Sequence, residues 1–304
     1  MSIFEEISNL DTEIINPEFA DIDIYSTSEI LALINEQDKL VPSAITLELP
    51  YIEQAVEAIV RAFKNGGRLI YVGAGTSGRL GILDASECPP TFGSNPEMVQ
   101  GIIAGGKEAA FRAIEGAEDI SEDAVNLIIQ MQVNENDVVC GLAASGRTPF
   151  VIAALNQAKE NGAFTILIST NNRKKIEEKG IIVDVMICPN VGAEVVAGST
   201  RMKSGTAQKL ILNMLTTTAM IKLGKTYKNI MVDLKPTNIK LKERAKRILM
   251  TITGIDLQLA EKILAQTNYN VKISLMMLLY NVDIEQAEEL LVKSDGKIRN
   301  RKEA

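Results

Sequence analysis

Short apolar runs alternate with helical patterns through the middle of the chain. Five runs rich in β-branched residues predict strands, near residues 69–72, 98–103, 137–140, 164–168 and 182–187. Helical patterns lie between most of them, around 78–86, 107–116, 121–131 and 148–160, and a long one at 202–223 follows. This alternation predicts βαβ units, and therefore an α/β fold whose parallel sheet is covered by helices on both faces.

Both ends of the chain are predicted to be helical. Ser26 and Glu29 have the spacing of a capping box that opens a helix to about residue 37. An amphipathic helix follows at 50–64, with an apolar stripe of Ile52, Ala55, Val56, Ile59, Val60 and Phe63. Four more helices are predicted near 238–252, 256–266, 271–280 and 283–293. We therefore expect an N-terminal helical region (1–65) that packs on the core, an α/β domain (66–230) and a small all-α domain (236–304).

Composition and charge narrow the classes of function. The 304 residues include no histidine, which removes Ser-His-Asp and Cys-His catalysis and histidine-rich zinc sites. A net charge of −7 argues against a nucleic-acid partner. The three cysteines are scattered among apolar neighbours, which indicates reduced core thiols and neither disulfides nor a metal site. No signal-peptide core or membrane-length apolar run is present, so we expect a cytoplasmic protein.

Two strand-to-helix junctions share one pattern. The first loop, residues 73–79, reads G-A-G-T-S-G-R, and the second loop, residues 141–147, reads G-L-A-A-S-G-R. Glycine lets the backbone approach an anion closely, and the amides at the start of the following helix point towards it. Tight turns with capping serines would have the same sequence, but the repetition favours anion binding. A third loop, residues 189–206, carries hydroxyls, Arg201 and Lys203, and either caps the long helix or contacts a sugar or phosphate.

The first loop also fits the dinucleotide-binding pattern G-x-G-x-x-G, through Gly73, Gly75 and Gly78. A nicotinamide enzyme needs an acidic residue at the end of the next strand to bind the ribose. That strand is followed by Ala104, Gly105 and Gly106 instead. A dehydrogenase is therefore the weaker alternative.

Four blocks of sequence resemble the N-acetylmuramic acid 6-phosphate etherases: residues 73–91, 115–119, 143–149 and 192–209. The resemblance implies a sugar isomerase (SIS) fold, a sugar-phosphate substrate and an ether-cleaving lyase that forms homodimers and uses no metal or cofactor. The related glucokinase regulatory protein binds sugar phosphates without being an enzyme, and it supplies a second function class. Residues 253–264 resemble a ubiquitin-associated-type helical bundle.

The resemblance also implies acid and base roles for two glutamates. Glu87 is expected to protonate the leaving oxygen, and Glu118 to handle the C2 proton or water, although the sequence leaves this assignment open. Pro89 and Pro90 predict that a helix ends just after Glu87, in apolar surroundings that would keep an acid protonated. Glu115 shares a face with Glu118 if that segment is helical, and is expected to bind substrate hydroxyls.

The phosphate is expected in a cradle made by the two glycine-containing loops. The residues implied are Ser145, Gly146 and Thr148, completed by Thr76, Ser77 and Gly78, with Ser199 and Lys203 of the third loop as further candidates. Whether one or two subunits build each active site stays open.

Overall fold

Five parallel strands form the central sheet, in the order β2-β1-β3-β4-β5. They are β1 (Leu69–Gly73), β2 (Val99–Ile103), β3 (Val138–Leu142), β4 (Phe164–Ile168) and β5 (Val185–Ile187). Every residue of β1 and β3 is buried, as expected for strands covered on both faces. The predicted parallel α/β sheet is therefore confirmed, although only the last three residues of the run at 182–187 pair with a neighbour.

This computed structural model describes residues 11–234 and 239–299. The chain divides into two compact units, the first containing Met1–Ser86 and Glu97–Thr216, the second Glu87–Pro96 and Thr217–Ala304. The domain boundaries expected from the sequence stay a prediction.

Within residues 11–234, nine α-helices accompany the sheet in sequence order. They are α1 (Thr27–Asp38), α2 (Leu40–Thr46), α3 (Leu49–Lys64), α4 (Gly75–Phe92), α5 (Gly106–Ala109), α6 (Ser121–Gln130), α7 (Pro149–Glu160), α8 (Arg173–Glu177) and α9 (Lys203–Lys222). The capping box of Ser26 and Glu29 opens α1 as predicted. The predicted apolar stripe of α3 is buried, and α3 packs against β1, β3 and β5.

Two predicted helices differ in the structure. α4 begins at Gly75 and continues through Pro89 and Pro90 to Phe92, because the fixed φ of proline is compatible with a final helical turn. Gly93, with φ +60°, follows the helix and donates its N–H to the Pro89 carbonyl. The helix predicted at 107–116 is reduced to α5, since Gly116 adopts φ +74° and the chain from residue 110 forms turns.

The second unit contains the predicted C-terminal helices. They are α10 (Ile239–Thr253), α11 (Leu257–Gln266), α12 (Val271–Tyr280) and α13 (Ile284–Lys293), preceded by a hairpin of β6 (Thr226–Tyr227) and β7 (Ile230–Met231). Asp256, Asn270 and Asp283 accept backbone N–H groups at the starts of α11, α12 and α13. Within the described residues, no helix combines the length and apolarity needed to cross a membrane.

A buried carboxylate joins α3 to the edge of the sheet. Glu48, only 9% exposed, precedes α3 and accepts the Cys188 N–H at 2.7 Å and a guanidinium N–H of Arg173 at 2.6 Å. The Arg173 guanidinium also stacks on Tyr51, 3.8 Å from the ring centroid, and donates to the Met186 carbonyl. The short edge strand β5 is thus fixed at its end by groups from α3 and α8.

We predict that Glu48→Ala lowers the free energy of unfolding by about 2–3 kcal/mol, because it leaves the Cys188 N–H without its acceptor and the Arg173 guanidinium without its carboxylate partner. Urea denaturation measures the change. Glu36→Ala is the control, since Glu36 forms an exposed pair with Lys39, and such pairs contribute at most about 1 kcal/mol. Equal effects of the two substitutions would contradict the importance of the Glu48 contacts.

Candidate functional site

The strand order places the first and second loops next to each other. β1 and β3 are neighbours at the centre of the sheet, while β2 lies on the other side of β1. The connections therefore leave β1 and β3 in opposite directions across the sheet, which creates a crevice at the carboxyl ends of the two strands. The loops that follow β1 and β3 flank this switch point, which is where ligands bind in open parallel sheets.

Glycines make the first loop tight enough to connect β1 directly to α4. A Cβ on Gly73 would lie 2.6 Å from the Gly78 nitrogen, and a Cβ on Gly78 would lie 2.6 Å from Ile103 Cγ1. Gly75 opens the helix with φ +52°. Thr76 is half-buried and Ser77 is buried, and both lie in the first turn of α4.

The second loop leaves the start of α7 without a side-chain cap. Gly146 adopts φ +68°, and its Cβ would lie 2.8 Å from Ile176 Cδ1. Thr148 occupies the N-cap position but accepts no hydrogen bond from the helix. Ser145 is half-buried, and its hydroxyl accepts the Arg147 N–H at 3.4 Å. The free amides of the first turn, together with the positive end of the helix dipole, can bind an anion here.

The carbonyl of Ala144 anchors the second loop to residues that the sequence reasoning missed. It accepts the Ser169 hydroxyl at 2.9 Å, and both the N–H (3.0 Å) and the hydroxyl (3.2 Å) of Thr170. Asn171 donates its side-chain amide to the Ser145 carbonyl at 3.2 Å. These residues follow β4 directly, so a search of every strand end for hydroxyls and amides could have found them.

A carboxylate of the third loop caps the N-terminus of the helix that follows it, α9. Glu194, which is 1% exposed, accepts the backbone N–H groups of Lys203 at 2.9 Å and Ser204 at 2.8 Å. The Ser204 hydroxyl in turn accepts that of Thr170 at 2.9 Å. The N-terminus of α9 is therefore already capped by the Glu194 carboxylate, whereas that of α7 has no side-chain cap. The capping role was one of the two readings of this loop, but its carboxylate was not identified from the sequence.

Lys203 and Ser199 of the third loop occupy different surroundings. The ammonium of Lys203 donates to the Gln37 side chain of α1 at 2.9 Å, and the residue is 1% exposed. This burial lowers the pKa of Lys203, against the opposing influence of Glu194 and Asp38. Ser199 is half-buried, and its N–H donates to the Val196 carbonyl.

Glu115 and Glu118 line one cavity beside the first loop. Its volume is about 160 Å³, and its walls are formed by Ala74, Gly75, Arg79, Ala104, Ala109, Ala113, Ile114, Glu115, Gly116, Ala117 and Glu118. The segment is not a continuous helix, which was the condition for the two glutamates to share a helix face: Gly116 has φ +74° and Glu118 lies in a short 3₁₀ turn. Both glutamates nevertheless line the same cavity, and both are exposed to solvent.

Glu87 is not among the residues that line this cavity. It lies in α4, roughly three helical turns after Gly75. The apolar surroundings expected for Glu87 are not found, because its side chain is exposed. Successive helical residues point in different directions, so Cys88 is buried while Glu87 beside it is not.

The three cysteine thiols are poorly suited to nucleophilic chemistry. Cys88, Cys140 and Cys188 are buried and form no disulfide, and burial raises the pKa of Cys188 to about 12 and also raises that of Cys140. Burial also raises the pKa of Asp84, which accepts the Tyr71 hydroxyl at 3.0 Å. In the described part of the chain, no group of Cys, Asp and Glu is arranged to hold a metal ion.

Comparisons with known families confirm the SIS fold. Residues 51–159 match the glucokinase regulatory protein N-terminal SIS domain, and residues 117–218 match the SIS domain. Among solved structures, a phosphoheptose isomerase from Francisella tularensis superposes with a TM-score of 0.50 at 18% identity, covering 65% of this chain and all of that one. This likeness concerns the fold alone.

Curated relatives match almost the whole chain. An N-acetylmuramic acid 6-phosphate etherase of Salinibacter ruber is 53% identical over 299 residues, which is 98% of this chain and 95% of that protein. One from Caldanaerobacter subterraneus is 54% identical over 292 residues, covering 96% of this chain and 94% of the relative. A third, from Vibrio atlanticus, is 52% identical over 298 residues, covering 98% and 96%.

Proposed function

This chain belongs to the N-acetylmuramic acid 6-phosphate etherase family, and on that premise we propose that it cleaves the ether between D-lactate and C3 of N-acetylmuramic acid 6-phosphate. The products are N-acetylglucosamine 6-phosphate and D-lactate, which makes the protein a carbon–oxygen lyase. The observation that carries the proposal is identity above 50% over nearly the full length of several such etherases. The paired loops at the switch point of the sheet support a sugar-phosphate ligand.

The proposed reaction is an elimination followed by a hydration. In the open-chain aldehyde, the carbonyl at C1 acidifies the proton on C2, so a carboxylate can remove it. The C3–oxygen bond then breaks, and an acid protonates the lactate oxygen as it leaves. Water adds to the resulting alkene, its oxygen to C3 and a proton to C2. Carboxyl groups suffice for these proton transfers, each contributing about 10²- to 10⁴-fold in rate.

We assign the proton transfers to Glu118 and Glu87. Glu118 lines the cavity beside the first loop, and neither it nor Glu115 has a hydrogen-bond partner within the described residues, so both are available to a substrate. Glu118 removes the C2 proton and Glu115 binds substrate hydroxyls. Glu87 protonates the leaving oxygen, a role that rests on the family resemblance of the block 73–91.

The proposed phosphate site is the second loop. Ser145, Gly146 and Thr148 surround the uncapped N-terminus of α7, and the resemblance adds Thr76, Ser77 and Gly78 of the first loop. The proposed cradle omits Ser199 and Lys203. The amides at the start of α9 already bind Glu194, and the Lys203 ammonium donates to Gln37.

We further propose a cytoplasmic homodimer. Three buried cysteines that form no disulfide fit a reducing compartment. Phe111 is 92% exposed, with Ile114 and Ile120 exposed nearby, and a second subunit covering such side chains would remove apolar surface from water.

A non-catalytic, sugar-phosphate-binding regulator is the second candidate, favoured by the match of residues 51–159 to the glucokinase regulatory protein domain. Incubation with N-acetylmuramic acid 6-phosphate separates the two. Release of D-lactate supports the etherase, and tight binding without release supports the regulator.

The oxygen of the new C3 hydroxyl tests the type of reaction. Elimination and hydration place solvent oxygen on C3 and leave the original ether oxygen on lactate. We predict that turnover in ¹⁸O-water labels N-acetylglucosamine 6-phosphate and leaves lactate unlabelled, as read by mass spectrometry. Label in lactate means that its other carbon–oxygen bond was cleaved, and it refutes the mechanism.

Glu118→Gln and Glu87→Gln are each predicted to lower kcat by about 10²- to 10⁴-fold, because an amide cannot exchange the required protons. Both variants should bind substrate and fold normally. Glu122→Gln, an exposed residue at the start of α6, is the control and should keep its activity. A variant of Glu87 or Glu118 with normal kcat would exclude that glutamate from the proton transfers.

A further inference from the structure

The cavity beside the first loop has an apolar wall that proton transfer by Glu118 does not require. Five alanines and Ile114 supply this wall, while the charged groups among its lining residues are Arg79, Glu115 and Glu118. Most of a sugar phosphate is polar and does not gain from contact with methyl groups. An apolar wall next to carboxylates suits a substituent that combines a methyl group with a hydrogen-bond donor.

Close backbone packing keeps the wall made of small side chains. Gly105 has φ +84°, and a Cβ there would lie 3.1–3.3 Å from the Cβ atoms of Ala109, Ile114 and Ala117. Ala109 and Ala117 are themselves buried, so larger side chains at these positions would have to occupy the cavity or displace the turn. The space exists because the residues around it are alanines.

The proposed substrate carries two methyl groups, one on the C2 acetamido group and one on the C3 lactyl group. The lactyl group also carries a carboxylate, whereas Glu115 and Glu118 already place two negative charges beside the cavity. The guanidinium of Arg79, which donates one N–H to the Arg112 carbonyl at 3.0 Å, offsets only one of these two charges. A neutral acetamido group avoids this repulsion, and its N–H can donate to a carboxylate.

We infer that this cavity binds the acetamido group of the substrate, with the methyl on the alanine wall and the N–H on one of the two glutamates. The inference rests on the proposed function and deepens it. C2 carries both the acetamido group and the proton that Glu118 removes, so binding of the acetamido group brings that proton to the carboxylate. The alanines thus limit the size of the N-acyl group and help to orient C2.

Ala113 is the best position for a test, because it lines the cavity yet is exposed and does not support the core. Ala113→Leu should lower kcat/KM for D-lactate release from N-acetylmuramic acid 6-phosphate by about 10- to 200-fold, the range for steric mismatch in an apolar pocket. Muramic acid 6-phosphate, which has a free amine on C2, should be affected far less. Ala32→Leu, on the exposed side of α1, is the control and should change neither substrate.

Ala113→Gly provides the opposite change, because it enlarges the cavity. It should raise kcat/KM for the N-propionyl analogue relative to the N-acetyl substrate. Equal losses on the N-acetyl and free-amine substrates in Ala113→Leu, without a shift in acyl preference in Ala113→Gly, would overturn the acetamido assignment alone. Absence of D-lactate release by the unsubstituted protein would overturn the proposed function itself.

Discussion

The buried carboxylate of Glu194 determines where this protein has room for an anion. By accepting two amides at the start of α9, it fixes the third loop and neutralises the positive end of that helix. It also positions Ser204 for the hydrogen bond from Thr170, whose hydroxyl reaches the Ala144 carbonyl. One internal carboxylate therefore occupies two amides at the start of α9 and supports the second loop, where the start of α7 has no side-chain cap.

In the proposed reaction, phosphate binding and proton transfer use different residues. The proposed phosphate site uses backbone amides and hydroxyls at the switch point, and these contacts act equally in the ground state and the transition state. In the proposed reaction, the proton transfers fall instead to Glu118, beside the first loop, and to Glu87. The proposed cradle omits Lys203, because its ammonium donates to the Gln37 side chain and the residue is 1% exposed.

Local sequence signals were sufficient to predict the sheet, the two glycine-containing loops and the four C-terminal helices. The signals concerned, which are β-branched runs, glycine spacing and helix caps, each act over only a few residues. The path of residues 106–118 was not predictable from helical periodicity, since positive φ angles at Gly105, Gly106 and Gly116 override it. The end of α4 was misjudged because two prolines fit a last helical turn. The Glu194 cap and the role of Ser169 and Thr170 depend on contacts between distant segments, which periodicity does not encode.

The central claim is that the phosphate binds at the second loop and not at the start of α9. The Michaelis constant for N-acetylmuramic acid 6-phosphate in Ser145→Ala and Ser199→Ala tests it most directly. We predict that Ser145→Ala raises KM by about tenfold with little change in kcat, as expected for a contact present in both ground and transition states, while Ser199→Ala leaves KM unchanged. A raised KM in Ser199→Ala, with a normal value in Ser145→Ala, would contradict the claim and move the phosphate to the third loop.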